Sequence, residues 1–219
     1  MTTKLKTVAA KSSAPAYQLK VVLLGAEPAT WRRLQVPGQA NLGWLHAVLQ
    51  TAMGWTNSHL HHFLTDDGRY SDPRGNEDLV FGEEPDLDEI KATLVQIAPK
   101  AGAQFGYEYD FGDSWEHEIM VEKILPSAGS KTALCLDGAG ACPPEDCGGI
   151  WGYEELLKAL KNPKHPQHKH MKQWLGRTID PHAFDKALVN AWLGKLKWPC
   201  VTQAQLRTVL MGRDNYNER

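Results

Sequence analysis

The chain has no long hydrophobic run. No apolar stretch approaches the ~18 residues needed to cross a bilayer. Near the N-terminus only Val8-Ala9-Ala10 is apolar, too short for the core of a secretion signal. Cysteine is sparse, at four residues. Without an export signal these thiols are expected to lie in a reducing cytoplasm, free or on a metal, and not in a disulfide framework. Net charge is nearly absent, since 24 basic and 26 acidic residues leave −2. No global field draws such a chain to a phosphate backbone, so nucleic acid is not an expected partner. The phosphate-binding loop and the dinucleotide fingerprint are missing, as are internal repeats and low-complexity tracts.

What remains is an ordinary globular composition with two peculiarities. Its 219 residues, 42% hydrophobic and 23% charged, suffice for one sizeable core. Eight tryptophans are more than a chain of this size usually carries; they fill a core, or they line a pocket or interface. Charge is also uneven. Glu77 to Glu89 holds seven acids and no base, while Lys158 to Lys172 holds five lysines and three histidines with no acid. Runs of this kind are usually solvated faces. Met1–Ala16 reads as a disordered tail.

The periodicity places strands first and helices later. Tyr17–Leu24 and Trp31–Val36 read as paired strands separated by Gly25 and Pro28. Side chains alternate along a strand, so Arg32 and Arg33 face opposite ways. Asn41 is a good N-cap for a helix from Leu42 to Met53, with Gly54 as its stop. His59–Thr65 reads as a strand, and a single helical turn can start at Thr93. Gln104–Asp110 and Trp115–Leu125 form a hairpin through the turn residues Phe111-Gly112-Asp113-Ser114. Helices are expected over Tyr153–Lys161 and Pro166–Leu175, in a segment capped by Asp180, and over Thr202–Met211. Strands followed by helices indicate an α+β fold: an antiparallel sheet built from hairpins, with a helical C-terminal part packed on it.

Three segments concentrate reactive side chains. His59 and His61, on one strand face, would sit about 7 Å apart and can converge on one ion. Two histidines alone more often bond a backbone carbonyl or face water. In the second hairpin, Asp113 can accept Nδ1–H of His117 and fix its tautomer, or can simply cap the turn with Asp110. The third segment, Cys142-Pro143-Pro144-Glu145-Asp146-Cys147-Gly148-Gly149, is a proline-stiffened loop ahead of a helix. Its cysteines lack the short-spaced pairs of a structural zinc site, so two small buried thiols are the plainer reading. A helix N-terminus would lower the Cys147 pKa, and Glu145 and Asp146 would oppose that.

The motifs Tyr17-Gln18-Leu19-Lys20-Val21, Trp31-Arg32-Arg33, Ala52-Met53-Gly54-Trp55, His59-Leu60-His61-His62-Phe63, Tyr107 to His117 and Ala141 to Gly149 occur in an order that resembles the plasmid pRiA4b ORF-3-like family. The resemblance covers residues 17–193. It implies an α+β domain of bacterial or archaeal origin, with residues 194–219 as a C-terminal extension that reads as helical. Some members carry an insertion-element passenger, TnpR-like label, which would link the protein to mobile elements. The residues give that label no chemical support. A serine recombinase needs a nucleophilic serine, an arginine cluster and a basic helix-turn-helix, and Arg32 with Arg33 is no such cluster.

The expectation is therefore a cytoplasmic α+β protein with one polar pocket that binds a small anionic ligand or a divalent metal such as zinc. His59, His61, His117 and Cys142 are the candidate metal ligands, and Asp113, Trp115 and Arg33 the candidate ligand-binding residues. A metal-assisted hydrolase is the alternative, with Glu145 or Asp146 as a carboxylate general base beside the histidine cluster. A protein- or nucleic-acid-interaction module is the other.

Overall fold

The structure, a computed structural model, describes residues 14–73, 86–126, 131–199, 206 and 208–210. Most of the N-terminal tail, much of the acidic run from Glu77, and most of the C-terminal extension with Cys200 lie outside the described residues. The described chain is α+β. Eight strands form one sheet: β1 (Ala16–Leu23), β2 (Trp31–Pro37), β3 (His61–Thr65), β4 (Gly68–Ser71), β5 (Leu87–Asp88), β6 (Gln104–Tyr109), β7 (Trp115–Leu125) and β8 (Leu134–Ala139). Their order is β5-β4-β3-β6-β7-β1-β2-β8, antiparallel throughout except between β4 and β5. Among the described residues five helices accompany them, α1 (Leu42–Met53), α2 (Leu94–Ile97), α3 (Gly149–Lys161), α4 (His168–Leu175) and α5 (Lys186–Leu193), and residues 206 and 208–210 are helical as well.

Alternation sorts the sheet into two faces. In β2 the even positions Arg32, Leu34 and Val36 are buried, while Trp31, Arg33 and Gln35 are only partly covered. The partly covered face carries charge: Glu122 accepts two hydrogen bonds from the Arg33 guanidinium, at 2.7 and 2.8 Å, and one from Gln18 at 2.7 Å. Those bonds hold the Glu122 carboxyl down at about 2. The other face meets α1, in which every residue but Gly43 is buried. Asn41 caps that helix by accepting the Trp44 N–H at 2.8 Å, and Gly54 ends it with φ of 122°. Arg32 reaches across from the sheet and donates to the α1 carbonyl of Ala52 at 2.9 Å, so a cation sits at the negative end of the helix. At the β8 edge the Asn190 amide accepts Cys135 N–H at 2.8 Å and donates to the Cys135 carbonyl at 2.9 Å, which occupies groups an open edge would expose.

Expected boundaries move: α3 begins at Gly149 and not at Tyr153, α4 at His168 and not at Pro166, and two further shifts matter more. The strand that begins the histidine motif starts at His61, leaving His59 in the loop before it. The segment after Asp180 first makes a turn, with Ala183 N–H on the Asp180 carbonyl. Helix α5 begins only after Asp185, whose side chain accepts Leu188 N–H at 2.9 Å. Either aspartate can cap, and Pro181 made the earlier one look like the start. The strands β4, β5 and β8 were not legible in the sequence, being short or broken by glycine. Among the described residues no helix is long and apolar enough to cross a membrane.

The core contains a closed polar ring. Gln50 donates to the Tyr107 hydroxyl at 3.1 Å, and that hydroxyl donates to His46 Nδ1 at 2.9 Å. His46 Nε2–H then donates to Asn57 Oδ1 at 2.7 Å, and Asn57 N–H returns to Gln50 Oε1 at 2.9 Å. A neutral imidazole satisfies every group in the ring, Nε2–H donating to Asn57 and Nδ1 accepting from Tyr107. Burial, reinforced by the stacked His61 ring 3.4 Å away, pulls His46 down to about 3. His117 is also fully buried; it donates Nδ1–H to the Tyr107 carbonyl at 3.2 Å, and burial takes it down to about 4.

Both histidines titrate in the unfolded chain near 6.5 and resist protonation when folded. The folded state therefore binds fewer protons, and stability present above pH 6.5 is lost as pH falls below it. Each group contributes up to about 1.4 kcal/mol per pH unit, so the pair gives about 2.7 kcal/mol per unit. Urea unfolding at about pH 7 and about pH 5 should show a clearly lower midpoint at the acidic value. An unchanged midpoint would mean that the two rings are not buried as neutral groups.

Candidate functional site

At one end of the sheet three separate segments bring oxygen and nitrogen donors together. His59 comes from the loop before β3, Asp110 from the turn between β6 and β7, and Asp146 from the loop before α3. His59 Nε2 lies 3.1 Å from Asp146 Oδ1, 3.5 Å from Asp110 Oδ2 and 4.0 Å from Glu145 Oε2. One donor atom from each of His59, Asp110 and Asp146 lies within 4.8 Å of the other two. Metal–ligand bonds of ~2.0–2.2 Å set neighbouring donors roughly 3–3.5 Å apart. The two His59 separations already meet that spacing. Among the described residues this is the one set of three or more His, Cys, Asp or Glu donors close enough to share an ion.

Each segment is held by local chemistry. Asn57, two residues before His59, sits at φ 56°, Asp110 at 59° and Asp146 at 55°. Left-handed backbone is uncommon outside glycine, and Asn and Asp tolerate it best. The polar ring in the core fixes Asn57. Asp110 turns its Oδ1 back to accept Gly112 N–H at 3.0 Å, leaving Oδ2 toward His59. Asp113 accepts Gly148 N–H at 3.1 Å, which ties the hairpin turn to the Cys142–Gly149 loop.

Glu145 is the most firmly held carboxylate. Its Oε1 accepts Thr56 N–H at 2.7 Å, the Thr56 hydroxyl at 2.9 Å and the Tyr109 hydroxyl at 3.1 Å. Tyr109 in turn accepts Ser58 N–H at 2.9 Å. Burial, then the Glu145 charge, raise the Tyr109 pKa. The phenol thus remains a donor. On its other side Glu145, with Thr56, lines a cavity of about 950 Å³ bounded by the end of α1, the Ala141–Pro144 stretch and the segment from Trp174 to Val189.

The other predicted residues lie elsewhere. His61 turns into the core, with Nε2 2.8 Å from Glu89 and its ring stacked on His46, because β3 begins there and its alternation buries His61. His117 is held by the Tyr107 carbonyl and not by Asp113. Trp115 is 0% exposed and packs on Trp55 beneath the site. Arg33 is spent on Glu122, on the partly covered sheet face. Cys142 lines the cavity wall and is not one of the clustered donors. Cys147 is no activated thiol: burial, then the Asp113, Asp146 and Glu145 charges, push it up to about 12. The residues that sequence reasoning passed over are Asp110, read as a turn cap, and Thr56, Ser58 and Tyr109. A signal for Asp110 was present, since an Asp heading a tight Gly-containing turn is suited to left-handed backbone.

The contrast between Glu145 and Asp146 predicts opposite stability effects. Glu145→Ala strands Thr56 N–H and the Tyr109 hydroxyl, and should cost about 2 kcal/mol. Asp146 is 69% exposed at positive φ, so Asp146→Gly should be neutral or stabilising by up to about 1 kcal/mol. Thermal melts of the two variants check this, and the reverse order would contradict the description of the loop.

Comparison with known proteins agrees with this fold. A family model described as plasmid pRiA4b ORF-3-like protein matches residues 15–188. The chain is similar to "Uncharacterized protein y4hQ" of Sinorhizobium fredii (strain NBRC 101917 / NGR234), with 41% identity over 174 residues, covering 79% of this chain and 85% of that protein. It is also similar to the crystal structure of a protein of unknown function, MM3350 from Methanosarcina mazei Go1. There the TM-score is 0.66 at 34% identity, over 79% of this chain and 96% of that one.

Proposed function

The chain belongs to the plasmid pRiA4b ORF-3-like family, and we propose that the protein binds one divalent metal ion through His59, Asp110 and Asp146. The supporting observation is the approach of these three donors from segments far apart in sequence, two of them on left-handed backbone. Side chains gathered at such conformational cost are characteristic of binding and catalytic sites. An imidazole with two carboxylates is a harder, more oxygen-rich set than the His/Cys set expected from sequence. It favours manganese(II), iron(II) or zinc over a thiolate-selecting ion. His59 is partly exposed and Asp146 largely so, which leaves positions open for water or a ligand.

Glu145 supports a hydrolytic use of the same site. Its Oε1 accepts from Thr56 and Tyr109, while its Oε2, which also accepts from the Tyr109 hydroxyl at 3.2 Å, lies 4.0 Å from His59 Nε2; a bound ion would supply an activated water, for which this carboxylate would serve as general base.

Elemental analysis of protein purified without a polyhistidine tag, and titration of the metal-free protein with manganese(II), test the binding reading. Roughly one equivalent is expected. His59→Ala, Asp110→Asn and Asp146→Asn should each weaken binding at least about tenfold, whereas Cys142→Ser should leave it unchanged. Less than about a tenth of an equivalent of any transition metal, with no manganese uptake, overturns it. For hydrolysis, a screen of phosphoesters, esters and amides should find a rate that Glu145→Gln lowers by about 100-fold. A rate equal to that of the parent excludes Glu145 as the base.

A further inference from the structure

The 950 Å³ cavity adjoins the donor cluster through Thr56 and Glu145 but is otherwise built from different chemistry. Its volume lies at the upper end of the roughly 300–1,000 Å³ typical of small-molecule sites. Phe184 and Trp174 supply aromatic surface, and Pro143 and Pro144 stiffen one wall. Trp174, 45% exposed, presents its indole at the border of this hollow.

The charges in the wall are asymmetric in how they are held. Each lining carboxylate already accepts from a donor: Glu145 from Thr56 and Tyr109, Asp180 from His182 N–H at 3.0 Å, and Asp185 from Leu188 N–H at 2.9 Å. The Arg32 guanidinium lies 4.6 Å from the Phe184 ring, and its hydrogen bonds include those to the Ala52 and Ala139 carbonyls, which are uncharged. Arg177, also in the lining, forms no ion pair with a described carboxylate. Its planar fork suits a carboxylate, sulfonate or phosphate oxygen pair.

We propose that this cavity is a binding site for a flat, apolar small molecule bearing a negative charge, with the aromatic walls taking its ring and Arg177 its anionic group. The proposal deepens the metal-site reading, since Glu145 and Thr56 would bring such a ligand beside the ion, but the cavity binds without metal and can be tested apart from it.

The probes are 1-anilinonaphthalene-8-sulfonate and its uncharged counterpart N-phenyl-1-naphthylamine, titrated by fluorescence in the presence of EDTA and again with manganese(II). Saturable one-site binding of the sulfonate is expected, tighter than that of the neutral probe. Arg177→Ala, a change at an exposed position, should weaken the sulfonate about tenfold and leave the neutral probe unchanged. Ala183→Trp, an exposed residue at the cavity wall, should block both probes while the melting temperature stays near that of the parent. No saturable binding, equal affinity for the two probes, or binding indifferent to both substitutions overturns the proposal. Arginine-dependent binding in EDTA, with no manganese uptake at His59, supports the cavity and removes the metal-site reading.

Discussion

The site depends on one backbone contact. Gly149 sits at φ 66°, and a Cβ built there would lie 2.3 Å from the Asp113 carbonyl oxygen. Only glycine permits that approach, and the adjacent Gly148 N–H adds its hydrogen bond to the Asp113 carboxylate. The proline-stiffened loop is thereby seated on the β6–β7 turn. Asp146, three residues earlier, arrives beside Asp110 and His59 as a consequence. A larger residue at 149 would push the loop away and separate the donors without touching any of them.

A second constraint comes from the core. The ring formed by Gln50, Tyr107, His46 and Asn57 satisfies buried polar atoms that would otherwise cost about 1–3 kcal/mol each. It also holds Asn57 in left-handed backbone, which sets where Thr56, Ser58 and His59 lie. Thr56 and Ser58 then fix Glu145 and Tyr109. The polar interior of this protein is thus continuous, through a few hydrogen bonds, with the acidic cluster at its surface. The neutral buried histidines and the clustered surface donors belong to the same arrangement.

Much of the fold was legible from sequence because its signals are local. Asn41 and Gly54 bracket α1 at the expected residues, and alternation in Gln104–Tyr109 and Trp115–Leu125 gives the central hairpin. The site was less legible, because proximity across the sheet has no local signature. Period-two reasoning put His59 and His61 on one face, but the strand starts between them and sends His61 to Glu89 in the core. Asp110 resembled any turn aspartate until the loop from 142 to 149 folded over it. Tyr109 looked like strand filling, which by burial it is, while its hydroxyl reaches Glu145 at the edge.

The claim that His59, Asp110 and Asp146 form a metal centre is tested most directly by anomalous diffraction from crystals of untagged protein soaked with manganese(II). The account predicts one strong anomalous peak about 2.0–2.3 Å from His59 Nε2 and from a carboxylate oxygen of each aspartate. A map with no peak there, or with His59 simply ion-paired to Asp146 while manganese binds elsewhere, would contradict it.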